Sequence, residues 1–172
     1  MSTLRTGLVV VSLGLATGCG SAPSVPPAPT PGRTDPASVP RSIATTAPES
    51  VVRIARSLLA TPYRYGGSDP RGFDCSGLTS FVFRRVGLSL PRTAQSQASS
   101  GRWIPPDELS RGDLVFFGDQ RHKPLHVGVV VSRPGEPLTM IHSSSTHGVV
   151  ETEVLTDSYW LARLKFGRRV LE

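Results

Sequence analysis

At 172 residues, 38% hydrophobic, with 17 glycines and 16 prolines, the chain has the length of one globular domain plus appendages, which excludes a multidomain assembly. Nineteen Lys and Arg against 13 Asp and Glu leave a formal charge of +6, which favours anionic surfaces; the basic residues form no long run and no aromatics interleave them, so nucleic acid is not an expected partner. Two cysteines, Cys19 and Cys75, in unlike surroundings exclude a disulfide framework and a four-cysteine zinc site.

In chain order, residues 1–18 carry one cation (Arg5), an apolar stretch from Leu8 to Leu15 and small residues at Ala16, Thr17 and Gly18, which is secretory signal anatomy. The apolar run is too short to span a bilayer. A cysteine directly after those small residues resembles a bacterial lipoprotein box, which implies lipidation of Cys19 and a membrane anchor; Ala16 departs from the box where Leu is usual, so ordinary signal cleavage stays open. Residues 19–47 are rich in Pro, Ala, Ser and Thr, too poor in large apolar groups to offset the entropy of ordering them, and read as a semi-extended disordered tether. The folded unit is expected over residues 48–172.

Within it, Pro48 and Glu49 open a helix whose Val51, Val52, Ala55, Leu58 and Leu59 repeat at helical spacing, leaving Arg53 and Arg56 to solvent. Thr61 to Phe73 is broken by glycines and prolines and reads as a loop. Cys75 to Val86 places Leu78, Phe81, Val82 and Val86 on one helical stripe, closed by Gly87. Short apolar or alternating runs then predict about five strands: Asp113–Phe117, His126–Ser132, Leu138–His142, Val149–Val154 and Trp160–Phe166. Helices followed by hairpin-connected strands indicate an α+β fold, the cysteine helix laid on an antiparallel sheet.

Asp74-Cys75-Ser76-Gly77 falls at a loop-to-helix junction, where the Asp74 carboxylate caps the helix and unpaired backbone N–H groups surround the sulfur with positive potential, favouring thiolate. A lone helical cysteine is commonly an inert small hydrophobe. The four histidines, His122, His126, His142 and His147, weigh against that reading. A hairpin turning symmetrically about Pro134 sets His126 opposite His142 on one face, close enough for one imidazole to orient the other; a slip by one residue would separate them. Cys75 as nucleophile, His126 as base and His142 as orienter make an acyl-transfer set, with the Cys75 N–H as an oxyanion donor. Two strand ends simply facing solvent remain the bland alternative. The spacing lacks any short metal-ligand pattern, so neither metal nor cofactor is expected.

Six segments in order carry a family likeness: Pro62-Tyr63-Arg64-Tyr65-Gly66-Gly67, Phe73-Asp74-Cys75-Ser76-Gly77-Leu78, Leu90-Pro91-Arg92-Thr93 with Gln97, Gly112-Asp113-Leu114-Val115-Phe116-Phe117, His126-Val127-Gly128 and Ile141-His142. Through them residues 51–166 resemble the NlpC-type family of bacterial cell-wall cysteine peptidases, whose catalytic domain is papain-like. The resemblance implies hydrolysis of peptidoglycan stem peptides, commonly between γ-D-glutamate and a diamino acid. It assigns the same roles to Cys75, His126 and His142, sets the Tyr63 hydroxyl near the thiol, and places Asp74 and Ser76 in the acyl-side pocket. Arg92 and Gln97 read as structural. With the signal segment it implies a monomer exported across the cytoplasmic membrane and anchored there facing the wall, with Ser21 permitting outer-membrane sorting. The Pro-rich tether occupies the place of the module by which some relatives recognise a free peptide N-terminus, so stems still attached to glycan are the expected substrate. An amidase or acyltransferase on the same scaffold, or a catalytically silent wall-binding lipoprotein, are the alternatives.

Overall fold

The computed structural model describes residues 46–119 and 123–171, all within the compact unit Arg41–Glu172. The expected signal peptide, Cys19 and all but the end of the tether lie outside the described residues. Helix α1 (Ala47–Arg56) starts at the last residue assigned to the tether, because Thr46 Oγ1 accepts from the Glu49 N–H at 3.4 Å and Pro48 sits in the first turn, where a missing N–H costs nothing. Its Val51, Val52 and Ala55 are buried, while Leu58 and Leu59 fall beyond the helix end.

The segment expected to be a loop contains a two-stranded ribbon, β1 (Ser68–Asp69) and β2 (Gly72–Phe73), which runs straight into Asp74 and helix α2 (Cys75–Arg84). Leu78, Val82 and Phe83 of α2 are fully buried, each contributing about 1.5–3 kcal/mol of transfer free energy. Helix α3 (Ala94–Gln97), strand β3 (Arg102–Ile104) and a 3-10 turn at Pro106–Glu108 follow. The remaining elements are β4 (Leu114–Gly118), β5 (Pro124–Val130), β6 (Thr139–Ser144), β7 (Gly148–Glu153), helix α4 (Ser158–Leu161) and β8 (Leu164–Arg169).

The main sheet has six strands in the order β3-β8-β4-β5-β6-β7, every neighbouring pair antiparallel. It exceeds the expected five by β3, a three-residue edge strand with Arg102 and Trp103 exposed, too short to show alternation. The expected strand Trp160–Phe166 is also corrected. Asp157 accepts from the Tyr159 and Trp160 N–H groups and starts a helical turn there, so Trp160 lies on α4 and the strand begins at Leu164. The α+β class holds, with apolar packing on both faces of the sheet: Leu114, Phe116, Val127, Val129 and Ile141 join α1 and α2 in one cluster, and Val115, Phe117, Val130 and Met140 pack with Trp160 in the other.

Strands β5 and β6 pair Val129 with Ile141 and Val130 with Met140. That differs by two residues from a hairpin centred on Pro134, and a two-residue offset keeps every side chain on its expected face. Beyond Val129 and Ile141 the ladder ends. There the Val127 N–H acts on the Cys75 sulfur, and the buried Ser143 hydroxyl donates to the Phe73 carbonyl at 2.8 Å, so the ribbon-to-helix junction enters the sheet where β5 and β6 part. Ser143→Ala removes that bond while the Phe73 carbonyl keeps the Arg64 N–H, and should lower unfolding free energy by about 0.5–1.5 kcal/mol in urea titrations.

Candidate active site

Three pieces of backbone bring the side chains together. Asp74 caps α2: its Oδ1 accepts from the Gly77 N–H at 2.7 Å and its Oδ2 from the Gly66 N–H at 3.1 Å. Arg92 closes on both oxygens, Nη1 to Oδ1 at 3.0 Å and Nη2 to Oδ2 at 2.6 Å, and also donates to Ser76 Oγ at 3.1 Å. Fork geometry of this kind is the strong form of the ion pair. Gly77 is required by close approach, since a Cβ there would collide with the Gly67 carbonyl. Behind it the buried Gln97 accepts from Thr79 Oγ1 at 2.7 Å and donates to the Ser76 and Pro91 carbonyls at 3.0 and 2.8 Å, fastening the first turn of α2 to the segment that carries Arg92. Gln97 is buried behind the site, whereas Arg92 lines a depression beside the thiol.

Residues 62–64 run beside β2, with the Phe73 N–H donating to the Pro62 carbonyl at 3.1 Å and the Arg64 N–H to the Phe73 carbonyl at 3.0 Å. This sets Tyr63 beside Cys75. Burial, followed by the charges of Cys75 and Asp74, pushes the Tyr63 hydroxyl up.

On β5 and β6, His126 Nε2 and His142 Nδ1 share a 3.0 Å hydrogen bond, and His142 Nε2 meets Thr152 Oγ1 on β7 at 3.1 Å. The observed register, continued by one residue, puts Gly128 rather than His126 opposite His142. A Cβ on Gly128 would lie 3.4 Å from His142 Cβ and 2.9 Å from Met140 Sδ. The bare glycine therefore leaves room for the His126 ring, two residues away on the same face, to reach His142 diagonally. Trp160 covers the pair, its ring centroid 4.8 Å from His126 and 4.7 Å from His142, with Phe117 against its edge at 4.8 Å.

Cys75, His126, His142 and Tyr63 line one cleft of about 730 Å³, which includes Thr152, Asp157 and Trp160. A second depression of about 490 Å³ shares Tyr63, Cys75 and Leu125 with it and holds Asp74, Ser76 and Arg92. All six expected catalytic and substrate-binding residues thus border two pockets that meet at the thiol. Thr152 and Trp160 were missed. Thr152 carried only the signal of a polar residue between Val150 and Val154 on one face of its strand, and Trp160 that of an Asp157-Ser158 helix start.

The electrostatics correct one expectation. The N–H groups of Val127, Ser76 and Cys75 favour thiolate, but burial outweighs them, with the Asp74 charge adding to it, and the thiol is raised above its ordinary value instead of lowered. Burial also pushes both imidazoles well below their usual value, with His142 adding to the shift at His126 and Asp157 opposing it at His142. Burial thus disfavours the charged form of the thiol and of both imidazoles in this cleft. Among the described residues no group of three or more His, Cys, Asp or Glu is placed to hold a metal ion.

An α+β domain that brings a helix-tip cysteine to a hydrogen-bonded pair of strand histidines defines a candidate thiol hydrolase. The NlpC/P60 family model matches residues 60–169, and the chain belongs to that family. It is 42% identical over 112 residues to "Probable endopeptidase NlpC" of Escherichia coli (strain K12), covering 64% of this chain and 70% of the relative. It is 35% identical over 131 residues to the gamma-DL-glutamyl hydrolase of Bacillus subtilis (strain 168), 74% of this chain but 31% of that protein. The chain likewise spans only 40% of the gamma-D-glutamyl-L-lysine dipeptidyl-peptidase of the same organism, at 35% identity over 70% of this chain. Among solved structures, the peptidoglycan hydrolase RipB of Mycobacterium tuberculosis superposes with a TM-score of 0.63 at 32% identity, over 78% of this chain and 69% of that one.

Because the thiol is raised, iodoacetamide alkylation of Cys75 should keep accelerating as pH rises past 9, without the neutral plateau of a thiolate–imidazolium pair; a plateau by pH 7 would contradict the raised thiol. Gly128→Val fills the space the His126 ring crosses and should cut turnover at least tenfold while circular dichroism stays native.

Proposed function

We propose that the chain hydrolyses peptidoglycan stem peptides, at the bond between γ-D-glutamate and the diamino residue, through a thioester on Cys75. The observation that carries the reading is the 3.0 Å hydrogen bond between His126 Nε2 and His142 Nδ1 in the cleft that holds the thiol. If His126 Nε2 donates to His142 Nδ1 and His142 Nε2 donates to Thr152 Oγ1, His126 Nδ1 is left with a free lone pair. That nitrogen takes the Cys75 proton as sulfur attacks the scissile carbonyl, and the acceptor at His142 Nδ1 favours the imidazolium that results. The Cys75 backbone N–H, at the first position of α2, donates to the oxyanion. The intermediate collapses with cleavage of the C–N bond, and His126 returns its proton to the leaving amine. Water then attacks the thioester, giving its proton to His126, and the sulfur departs and is reprotonated.

Burial that disfavours the charged forms of thiol and imidazole suits this scheme, in which proton transfer accompanies attack. The family membership and the relatives' printed names support a cell-wall peptidase, with Tyr63, Ser76 and the Asp74–Arg92 pair lining the acyl-side pocket. The lipidated Cys19 and the tether complete the proposal: an exported, membrane-anchored monomer that reaches stems still on glycan. The full chain incubated with purified sacculi should release new termini detectable by mass spectrometry. Cys75→Ala and His126→Ala should lower release by on the order of a thousandfold or more, His142→Ala by less, and a chelator should change nothing. Undiminished release by Cys75→Ala would end the thiol mechanism.

A further inference from the structure

The two depressions that meet at Cys75 are chemically distinct. The imidazole that takes the thiol proton must hand it to the departing nitrogen, so the leaving amine sits on the side that holds His126. Both histidines line the larger cleft and neither lines the smaller one, so the acyl portion lies towards Asp74, Ser76 and Arg92 and the amine product towards Thr152, Trp160 and Asp157.

Asp157 is the carboxylate of that leaving-group side. Its Oδ1 accepts from the Tyr159 N–H at 2.9 Å and the Trp160 N–H at 3.3 Å. Among the described residues Oδ2 takes no hydrogen bond and no ion pair. Capping α4 requires only an acceptor, which Asn supplies as well as Asp. The charge is left over. It is half-buried in a cleft walled by Trp160 and Tyr159, and near enough to His142 to raise that imidazole's proton affinity against the effect of burial. A partly desolvated carboxylate with an open oxygen calls for a cationic partner. Across the scissile bond, a diamino residue offers one: it is acylated through one amine and keeps the other as an ammonium.

We propose that Asp157 is a specificity-determining residue that binds the ammonium of the leaving diamino residue. The assignment rests on the thiol-peptidase reading above and concerns the side of the cleft opposite to Asp74.

The test compares two peptides on the full chain, N-acetyl-L-Ala-γ-D-Glu-L-Lys and its Nε-acetyl-lysine counterpart, in wild type and Asp157→Asn. Asn keeps the cap, so melting temperature should hold. Wild type should prefer the free amine by about tenfold or more in kcat/KM, the discrimination typical of one charge-assisted hydrogen bond. Asp157→Asn should bring the ratio near one, mainly by raising KM for the free-amine peptide. Equal use of both peptides by wild type, or an intact preference in Asp157→Asn, would overturn the proposal. Equal slowing of both peptides with a displaced acid limb of the pH profile would overturn it too, marking Asp157 as acting through His142. Turnover of neither peptide by wild type would remove the peptidase reading itself, and this assignment with it.

Discussion

The site depends on a gap in a hydrogen-bonded ladder. Strands β5 and β6 pair only at Val129–Ile141 and Val130–Met140, and past that point each gives a polar group to the chain entering between them: β5 its Val127 N–H to the sulfur, β6 the Ser143 hydroxyl to the Phe73 carbonyl. Without the gap, a thiol on the helix-packed side and imidazoles on the opposite face would be separated by a sheet. With it, Cys75 and the two histidines line one cleft, and the Val127 N–H freed by the opening is turned to the sulfur.

Fixing the helix tip in that gap requires more than the strand contacts. Asp74 takes donors from the loop, the helix and Arg92, while Gln97 joins the α2 first turn to the Pro91 carbonyl. The result is a helix start tied to the preceding loop and to the segment that carries Arg92. Trp160 does the corresponding work for the imidazoles, its ring tilted against His126 and edge-on to His142.

Much of this was legible in the sequence because the deciding signals are local. An Asp before Cys-Ser-Gly announces a capped helix start, and strand alternation fixes which face a histidine occupies even when register is misjudged by two residues. Short elements were not legible: β3 has too few residues to alternate, and α4 is declared by a single capping carboxylate. The diagonal approach of the histidines depends on an absent side chain at Gly128, a feature that turn symmetry does not encode. The thiol's proton affinity was misjudged because helix-end N–H groups are visible in sequence, whereas burial emerges only once β5, α2 and the 62–73 segment have packed together.

The raised proton affinity of the thiol has a consequence for chemical durability. Peroxides and disulfides react with the ionised form of cysteine, so a sulfur whose ionisation burial disfavours is slow to form sulfenic acid or mixed disulfides. The burial that raises the proton affinity of Cys75 thereby also guards it against oxidants.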